Sequence, residues 1–460
     1  MRRRLNEVEV LLWQLGHHPL LSSTMGAVIE LDHPPRRDDT VRVARHAAAN
    51  VAGLRERVAE PLSPITGALT WEPDPDLDFD HHVRFVRLEA NSPRRELHHL
   101  AAQILADPFD TSRPLWQITV VGGLRGGRGA LVAKLHHAIA DGQGALALAA
   151  HLFGFSADQP LPAEVDLEPL LHGAADAHGG VGEPPRSSRF GSGLLHRLND
   201  AAGFVIDPRS VTGAGVEMVQ TARRITDGGD RTRSPLWQRR SRNRRLHTID
   251  LDLDALRDAA RRHDTTLNGL FVSLAADAVV AHHERHGVEV PGVSASMVVS
   301  RRSDADGAED NAVVPVPITV PGSGAELGDR LAAVAALTKT KAGAARGSVD
   351  VMGIAGGLVG YVPAALTGAV ALGQTSQVDL ATSNVPGPPV PIWFAGRRVR
   401  SFVPVGPLMG TAVNLTLLSY DGSAAVGVSV DPAAVDDHTG FAADLARSFQ
   451  REVGGAVGRT

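Results

Sequence analysis

The chain of 460 residues has no cysteine. That one absence excludes a thiol nucleophile, a thiolate zinc site, an iron–sulfur cluster and a disulfide framework. A reducing cytoplasm fits such a chain. Lysine is nearly as scarce, with Lys134, Lys339 and Lys341 the only three among 46 basic residues. The remainder are arginine, which we read, with the 48 glycines, as coding bias rather than function. Positive charge is not in excess. The formal net charge is −5, which argues against a general nucleic-acid binder. There is no GxSxG elbow, so no activated serine of that type is expected.

Long apolar runs are few. Residues 351–378 carry no charge, and length alone would let them cross a bilayer. Their Gly/Ala content and Pro363 favour a buried or surface-lying helix instead. The opening MRRRLNEVEVLLWQLG has arginines like a signal peptide, but Glu7 and Glu9 interrupt any apolar core. Leu5, Val8, Leu11, Leu12 and Leu15 fall at helical spacing, which predicts a short amphipathic helix.

What is present is a globular mixture, 43% apolar and 21% charged, long enough for two or three domains. Strand-like runs at 27–31, 116–121 and 130–137 alternate with helical ones at 94–105 and 145–153, and a Gly-rich turn joins 121 to 130. From 156 to 200 prolines, glycines and serines crowd together, as in a linker or long crossing loop. Nine arginines follow between Arg223 and Arg245, which predicts a solvated arm or a region attracting anionic phosphates. A second α/β half then begins. It has strands at 247–251, 295–300, 313–319 and 411–430, and a helix from Thr266 to about His286 capped by Asp264-Thr265. The domain division expected is 1–155, a crossover over 156–245, and 246–460.

The most informative segment runs from Leu131 to Gly144 and contains His136-His137-Ala-Ile-Ala-Asp141-Gly142. Neighbours in a strand face opposite sides. Leu131, Ala133, Leu135 and His137 share one face, and Val132, Lys134 and His136 share the other. One histidine can be a reactive base while the other braces the structure. Other histidine pairs occur, so the pair alone is weak. The added Asp-Gly makes chance occurrence about 0.01 per chain of this composition. His282 and His286 lie four apart, as metal ligands can, but no third ligand is evident and no metal site is expected.

HHAIADG resembles the HHxxxDG signature shared by chloramphenicol acetyltransferase, the condensation domains of peptide synthetases and bacterial wax ester synthase/diacylglycerol acyltransferases. The flanks resemble the last group. Pro114-Leu115-Trp116 is similar to its PLW segment, and Phe79-Asp80-His81-His82-Val83 to its upstream HV segment. Thr266-Leu267-Asn268-Gly269 is similar to its Asn-Asp helix start, Asn384-Val385-Pro386-Gly387-Pro388 to its NVPGP loop, and Ser419-Tyr420-Asp421-Gly422 to its SYDG turn. Gly269 departs from the family's Asp, Trp237 from its usual Asn after Pro-Leu, and the opening LNEVEVLLW from its usual start.

This resemblance implies an α/β (α+β) fold of two chloramphenicol-acetyltransferase-like domains with an active-site tunnel between them. It implies transfer of a long acyl chain from acyl-CoA, a co-substrate and not a permanently bound cofactor, to the hydroxyl of diacylglycerol or a fatty alcohol. A neutral imidazole, with an ordinary pKa of about 6.5, can take the alcohol's proton as its oxygen attacks the thioester. The resemblance points to His137 as base, with His136 beside it and Asp141 structural, paired with an arginine for which Arg301 is the candidate. Gly142, Asn268, Asn384, Pro386 and Gly387 are expected to shape the site or stabilise the oxyanion. Peripheral attachment to the inner face of the plasma membrane or to lipid droplets is expected. The alternatives are a same-fold enzyme with another acceptor, such as a polyketide or amine, and a non-catalytic lipid-binding relative.

Overall fold

The computed structural model describes residues 3–61, 68–139, 148–172, 234–300, 313–347, 371–373, 375, 377–454 and 458–459. The first helix, α1 (Glu7–Gly16), starts at a capping box. The Asn6 side chain accepts from the Glu9 amide at 2.8 Å, and Glu9 accepts from the Asn6 amide at 2.7 Å. Trp13 and Leu15 are buried, as is Leu5 just before the helix, whereas Val8 of the expected apolar stripe faces solvent.

Four strands and two helices of the first lobe follow: β1 (Thr24–Leu31), α2 (Arg37–Asn50), β2 (Val83–Ser92), α3 (Arg94–Ala106), β3 (Trp116–Leu124) and β4 (Gly129–His136). The expected strands at 27–31 and 116–121 and the helix at 94–105 lie within these elements, and the returning strand ends one residue sooner than expected. Strands β2 and β3 are parallel with α3 as their crossover, while β3 and β4 form an antiparallel hairpin. Strand β4 lies between β1 and β3, so it is paired on both sides. The six-stranded sheet is completed beyond β1 by two strands from far along the chain, Arg397–Val405 and Trp393–Phe394. A division of the chain at residues 155 and 246 leaves out this exchange.

The second lobe contains β5 (Arg245–Asp252), α4 (Leu253–Arg262), α5 (Leu267–Arg285), β6 (Gly292–Ser300), β7 (Val313–Pro321), α6 (Leu327–Gly347) and β8 (Leu380–Val385). After the exchanged strands β9 (Trp393–Phe394) and β10 (Arg397–Val405) come β11 (Val413–Tyr420), β12 (Ser423–Val430), α7 (His438–Val453) and β13 (Gly458–Arg459). Its seven-stranded sheet runs β7-β6-β8-β11-β12-β5-β13. Helix α5 is apolar nearly all round, with Leu270 to Ala276 wholly buried, because it packs against the sheet and against other helices. Its cap is Thr266, whose hydroxyl accepts from the Gly269 amide at 3.0 Å, and not the expected Asp264-Thr265. Asp264 sits instead at φ 47 in the turn after α4.

The lobes meet where β10 crosses β11 and β12. Val403 and Val405 share one apolar cluster with Val28 and Val132 of the first sheet, Leu97 and Ala101 of α3, and Leu246 and Ala425 of the second lobe. At Gly427 the approach is so close that a Cβ would overlap the Pro404 carbonyl oxygen. Gly427→Ala is therefore expected to cost on the order of 1–3 kcal/mol, read as a lower urea midpoint. Unchanged stability would mean that the seam yields easily.

Candidate active site at the end of β4

The histidine pair sits where β4 leaves the sheet. The His136 amide donates to the Leu115 carbonyl at 3.0 Å, and the His137 amide donates to the Ser23 carbonyl at 3.2 Å. The chain then turns, with the Ile139 amide donating back to the His136 carbonyl at 3.0 Å. The Pro114-Leu115-Trp116 segment thus fixes the neighbouring strand end, and Trp116 is itself fixed by donating from Nε1 to the Leu54 carbonyl at 2.7 Å. His82 stacks on Trp116, 4.5 Å between ring centres, and donates from Nδ1 to its carbonyl at 2.8 Å.

The alternation expected of the strand is present. Val132 packs in the cluster that contains α3, while Leu131 and Leu135 pack with Trp116, Ile139, Leu418 and Tyr420 on the other side. His136 shares the first face and is buried, its ring edge against Phe109 at 6.2 Å between centres. Its Nδ1 accepts from the Ala138 amide at 3.2 Å, which places the proton of the neutral ring on Nε2. Burial, helped by the neighbouring His137 and His17, lowers its pKa to about 4. The ring is therefore neutral at pH 7, and its one acceptor nitrogen is engaged. His137 is half-buried at the turn. Asp141, Gly142 and Arg301 lie outside the described residues.

The expected loop residues form a second object. Asn384 is the penultimate residue of β8, opposite Leu417 of β11, and Asn384 and Pro386 are exposed. Gly387 donates its amide to the Ser419 hydroxyl at 3.3 Å, and a Cβ there would overlap the Ser419 carbonyl oxygen. The Asp421 amide donates to the Pro388 carbonyl at 3.1 Å. Tyr420 completes the clasp. Its hydroxyl accepts from the Ile392 amide at 3.1 Å and donates to the Val399 carbonyl at 3.0 Å. Loop and turn, more than thirty positions apart in sequence, are thus one unit, and through Tyr420 and Leu418 it joins the apolar cluster on the Leu131 and Leu135 face of β4. Asn268 is half-buried in the first turn of α5. At Gly269 a Cβ would come 2.6 Å from the Thr265 hydroxyl, so an acidic side chain at this position would have to displace it.

On the His136 face a cavity of about 290 Å3 opens at the seam of the lobes. Sequence reasoning missed Ser23, which holds the His137 backbone, and the inner arginines of the 223–245 stretch. Arg240 and Arg244 are not part of a solvated arm. Both side chains are buried, and Arg244 lines this cavity. The signal was their place immediately before β5, where an arm must already have entered the fold.

Among the described residues no group of three or more His, Asp or Glu side chains is placed to hold a metal ion. His282 and His286 serve the end of α5, where His286 donates from Nδ1 to the His282 carbonyl at 2.7 Å and His282 lies 3.6 Å from Asp444.

Burial lowers the pKa of His82 and His282 to about 4 and of His98 to about 3, as it does for His136. Unfolded imidazoles take up protons near pH 6.5, so below that value the unfolded chain binds more protons than the folded one. Unfolding free energy is expected to fall as pH drops from about 6.5 towards 4. Urea midpoints at pH 7, 6 and 5 check this, and His136→Asn should make the fall shallower. An identical slope in the variant would show that His136 is not held neutral.

Residues 5–271 match the wax ester synthase/diacylglycerol acyltransferase catalytic domain, and residues 312–451 match the C-terminal domain of the same family. A Mycobacterium tuberculosis protein provisionally named a diacylglycerol O-acyltransferase is 29% identical over 97% of this chain and 90% of its own length. Another from the same species, named in the same way, is 30% identical over 79% of this chain and 78% of its own. Among solved structures, the wax ester synthase/diacylglycerol acyltransferase from Marinobacter aquaeolei VT8 superposes with a TM-score of 0.65 over 98% of this chain and all of that one, at 18% identity. The first condensation domain of the calcium-dependent antibiotic synthetase gives 0.57 over 98% of this chain and 95% of that domain, at 16% identity. At these identities the two superpositions establish the shared fold.

Proposed function

The chain belongs to the wax ester synthase/diacylglycerol acyltransferase family, and from that premise we propose that it is an O-acyltransferase in which His137 is the general base. The donor is a long-chain acyl-CoA, bound as a co-substrate, and the acceptor is the hydroxyl of diacylglycerol or of a fatty alcohol. We place the reaction in a tunnel between the lobes, with Asp141 and Gly142 in the turn after the base and Arg301 as the partner of Asp141.

The observation that carries the reading is the division of labour on β4. His136 has its acceptor nitrogen on the Ala138 amide and its pKa lowered to about 4, so it is a poor base. His137, the next residue, is half-buried at the turn with its amide on the Ser23 carbonyl, and in the proposed mechanism its ring points to the opposite side, towards the cluster that holds the Gly387–Tyr420 clasp. As the acceptor oxygen attacks the thioester carbonyl, His137 takes the hydroxyl proton. The carbon–sulfur bond then breaks, and the departing thiolate recovers that proton from the imidazolium. The products are an ester and free CoA, and no covalent enzyme intermediate forms. General-base help of this kind contributes about 10²- to 10⁴-fold. The Asn384–Gly387 loop and Asn268 are the candidates for contact with the developing oxyanion.

Purified protein given labelled acyl-CoA with diacylglycerol or hexadecanol is expected to form neutral lipid. His137→Ala should lower turnover by at least about 10²-fold with the circular dichroism spectrum unchanged. Near-normal turnover in that variant would refute the base assignment, and acyl-CoA binding without CoA release in the wild type would point to a non-catalytic relative.

No helix among the described residues is long and apolar enough to cross a membrane. Peripheral attachment to the inner face of the plasma membrane or to lipid droplets is part of the proposal, supported by the charge-free stretch 351–378 and by the arginines from Arg223 to Arg239. Flotation with anionic liposomes is expected and should weaken as salt rises. Flotation indifferent to salt, or none, speaks against it.

A further inference from the structure

A guanidinium taken out of water normally keeps a carboxylate beside it. Arg240 does so, with Asp379 at 3.8 Å. Arg244 is 6% exposed, yet its Nη1 has no hydrogen-bond partner. Burial, the sole cause, pushes its pKa down to about 10, which still leaves it a cation at neutral pH. Lys134, buried on β4 two residues before His136, adds to the same positive region. Burial is the main reason its pKa falls to about 8. Asp107 opposes that fall, while Arg84 and Arg244 add to it. Its ammonium donates to the Asp107 carbonyl at 2.8 Å and lies 4.3 Å from the centre of the Phe109 ring.

Arg244 lines the 290 Å3 cavity at the seam, and among the described residues no Asp or Glu lines it. Much of the wall is apolar, from Trp13, Leu20, Leu105, Phe109, Leu408 and Met409. The exposed Gly16 and His17 mark where it reaches solvent. A free inorganic anion would leave the apolar wall wet, and a neutral lipid would leave the guanidinium unpaired. His136 lines the cavity, and His137, the proposed base, is not among the described residues that line it, so the proposed occupant is kept apart from the reacting thioester.

We propose that this cavity binds the oxyanionic head of a single-chain lipid, a carboxylate or a phosphate, against Arg244, with the chain along the apolar wall. Bound there, the lipid ties α1, the end of α3 and the 408–409 loop together at the junction of the lobes.

Calorimetric titration of the full chain with laurate, dodecyl phosphate, dodecanol and inorganic phosphate tests this without acyl-CoA present. Laurate or dodecyl phosphate is expected to bind at least tenfold more tightly than dodecanol, and the tighter of the two identifies the head group. Arg244→Gln should erase that advantage and leave dodecanol binding unchanged, while Arg244→Lys keeps part of it. The proposal is overturned if neither anionic lipid binds, if all three lipids bind equally, if Arg244→Gln keeps the preference, or if inorganic phosphate binds as tightly as dodecyl phosphate. Should Arg244→Gln not fold, a diazirine-bearing fatty acid cross-linked to the wild type decides. Label at 105–109 or 408–409 supports the site, and label only elsewhere overturns it. Neither readout uses turnover, so the outcome is independent of the role of His137.

Discussion

Two adjacent imidazoles cannot share a face of an extended strand, and most of the candidate site follows from that constraint. It applies here with full force because β4 is paired on both sides. The Ser23 and Leu115 carbonyls extend the two ladders to the histidines themselves. A slip of one residue would exchange their surroundings. The ladders therefore do more than hold a sheet together. They decide which ring is driven into a neutral, engaged state and which is left at the turn.

A second constraint acts across the seam. Exchange of β9 and β10 into the first sheet places residues from the second half of the chain beside β1 and against β11 and β12. Close backbone approach at Gly427 and the Tyr420 clasp then fix the second lobe against the first. The two lobes cannot slide past one another without breaking main-chain contacts. That constraint suits the proposed reaction, in which a base from one lobe and loop donors from the other would meet the same carbonyl within hydrogen-bond reach.

Much of this was legible in the sequence, for identifiable reasons. The period-two run before His137 is a purely local signal, and it is present in β4, where Val132 and His136 pack on one face and Leu131 and Leu135 on the other. The β3–β4 hairpin was readable from a Pro, a β-rich run and a Gly-rich turn. Other features depend on partners distant in sequence. Nothing local to Arg397–Val405 says that it pairs with β1, since an amphipathic strand reads the same in either sheet. The cap of α5 was misplaced by one or two residues because Asp, Thr and Thr are all good caps, and the left-handed turn at Asp264 chose among them. Arg240 and Arg244 looked like the rest of an arginine-rich arm because burial is set by tertiary neighbours, not by composition. Asn384 and Gly387 were visible as a motif, but their attachment to the Ser419–Asp421 turn is a matter of topology.

The exchanged strand also has a consequence for how the molecule is made. A ribosome delivers β1 hundreds of residues before β10 exists. Throughout that interval one edge of the growing first sheet, running from Thr24 to Leu31 and rich in apolar side chains, has no native strand to pair with. The nascent polypeptide must keep that border from sticking to its neighbours until synthesis passes Val405. This part of biosynthesis, and not the later chemistry, is where the architecture is most vulnerable.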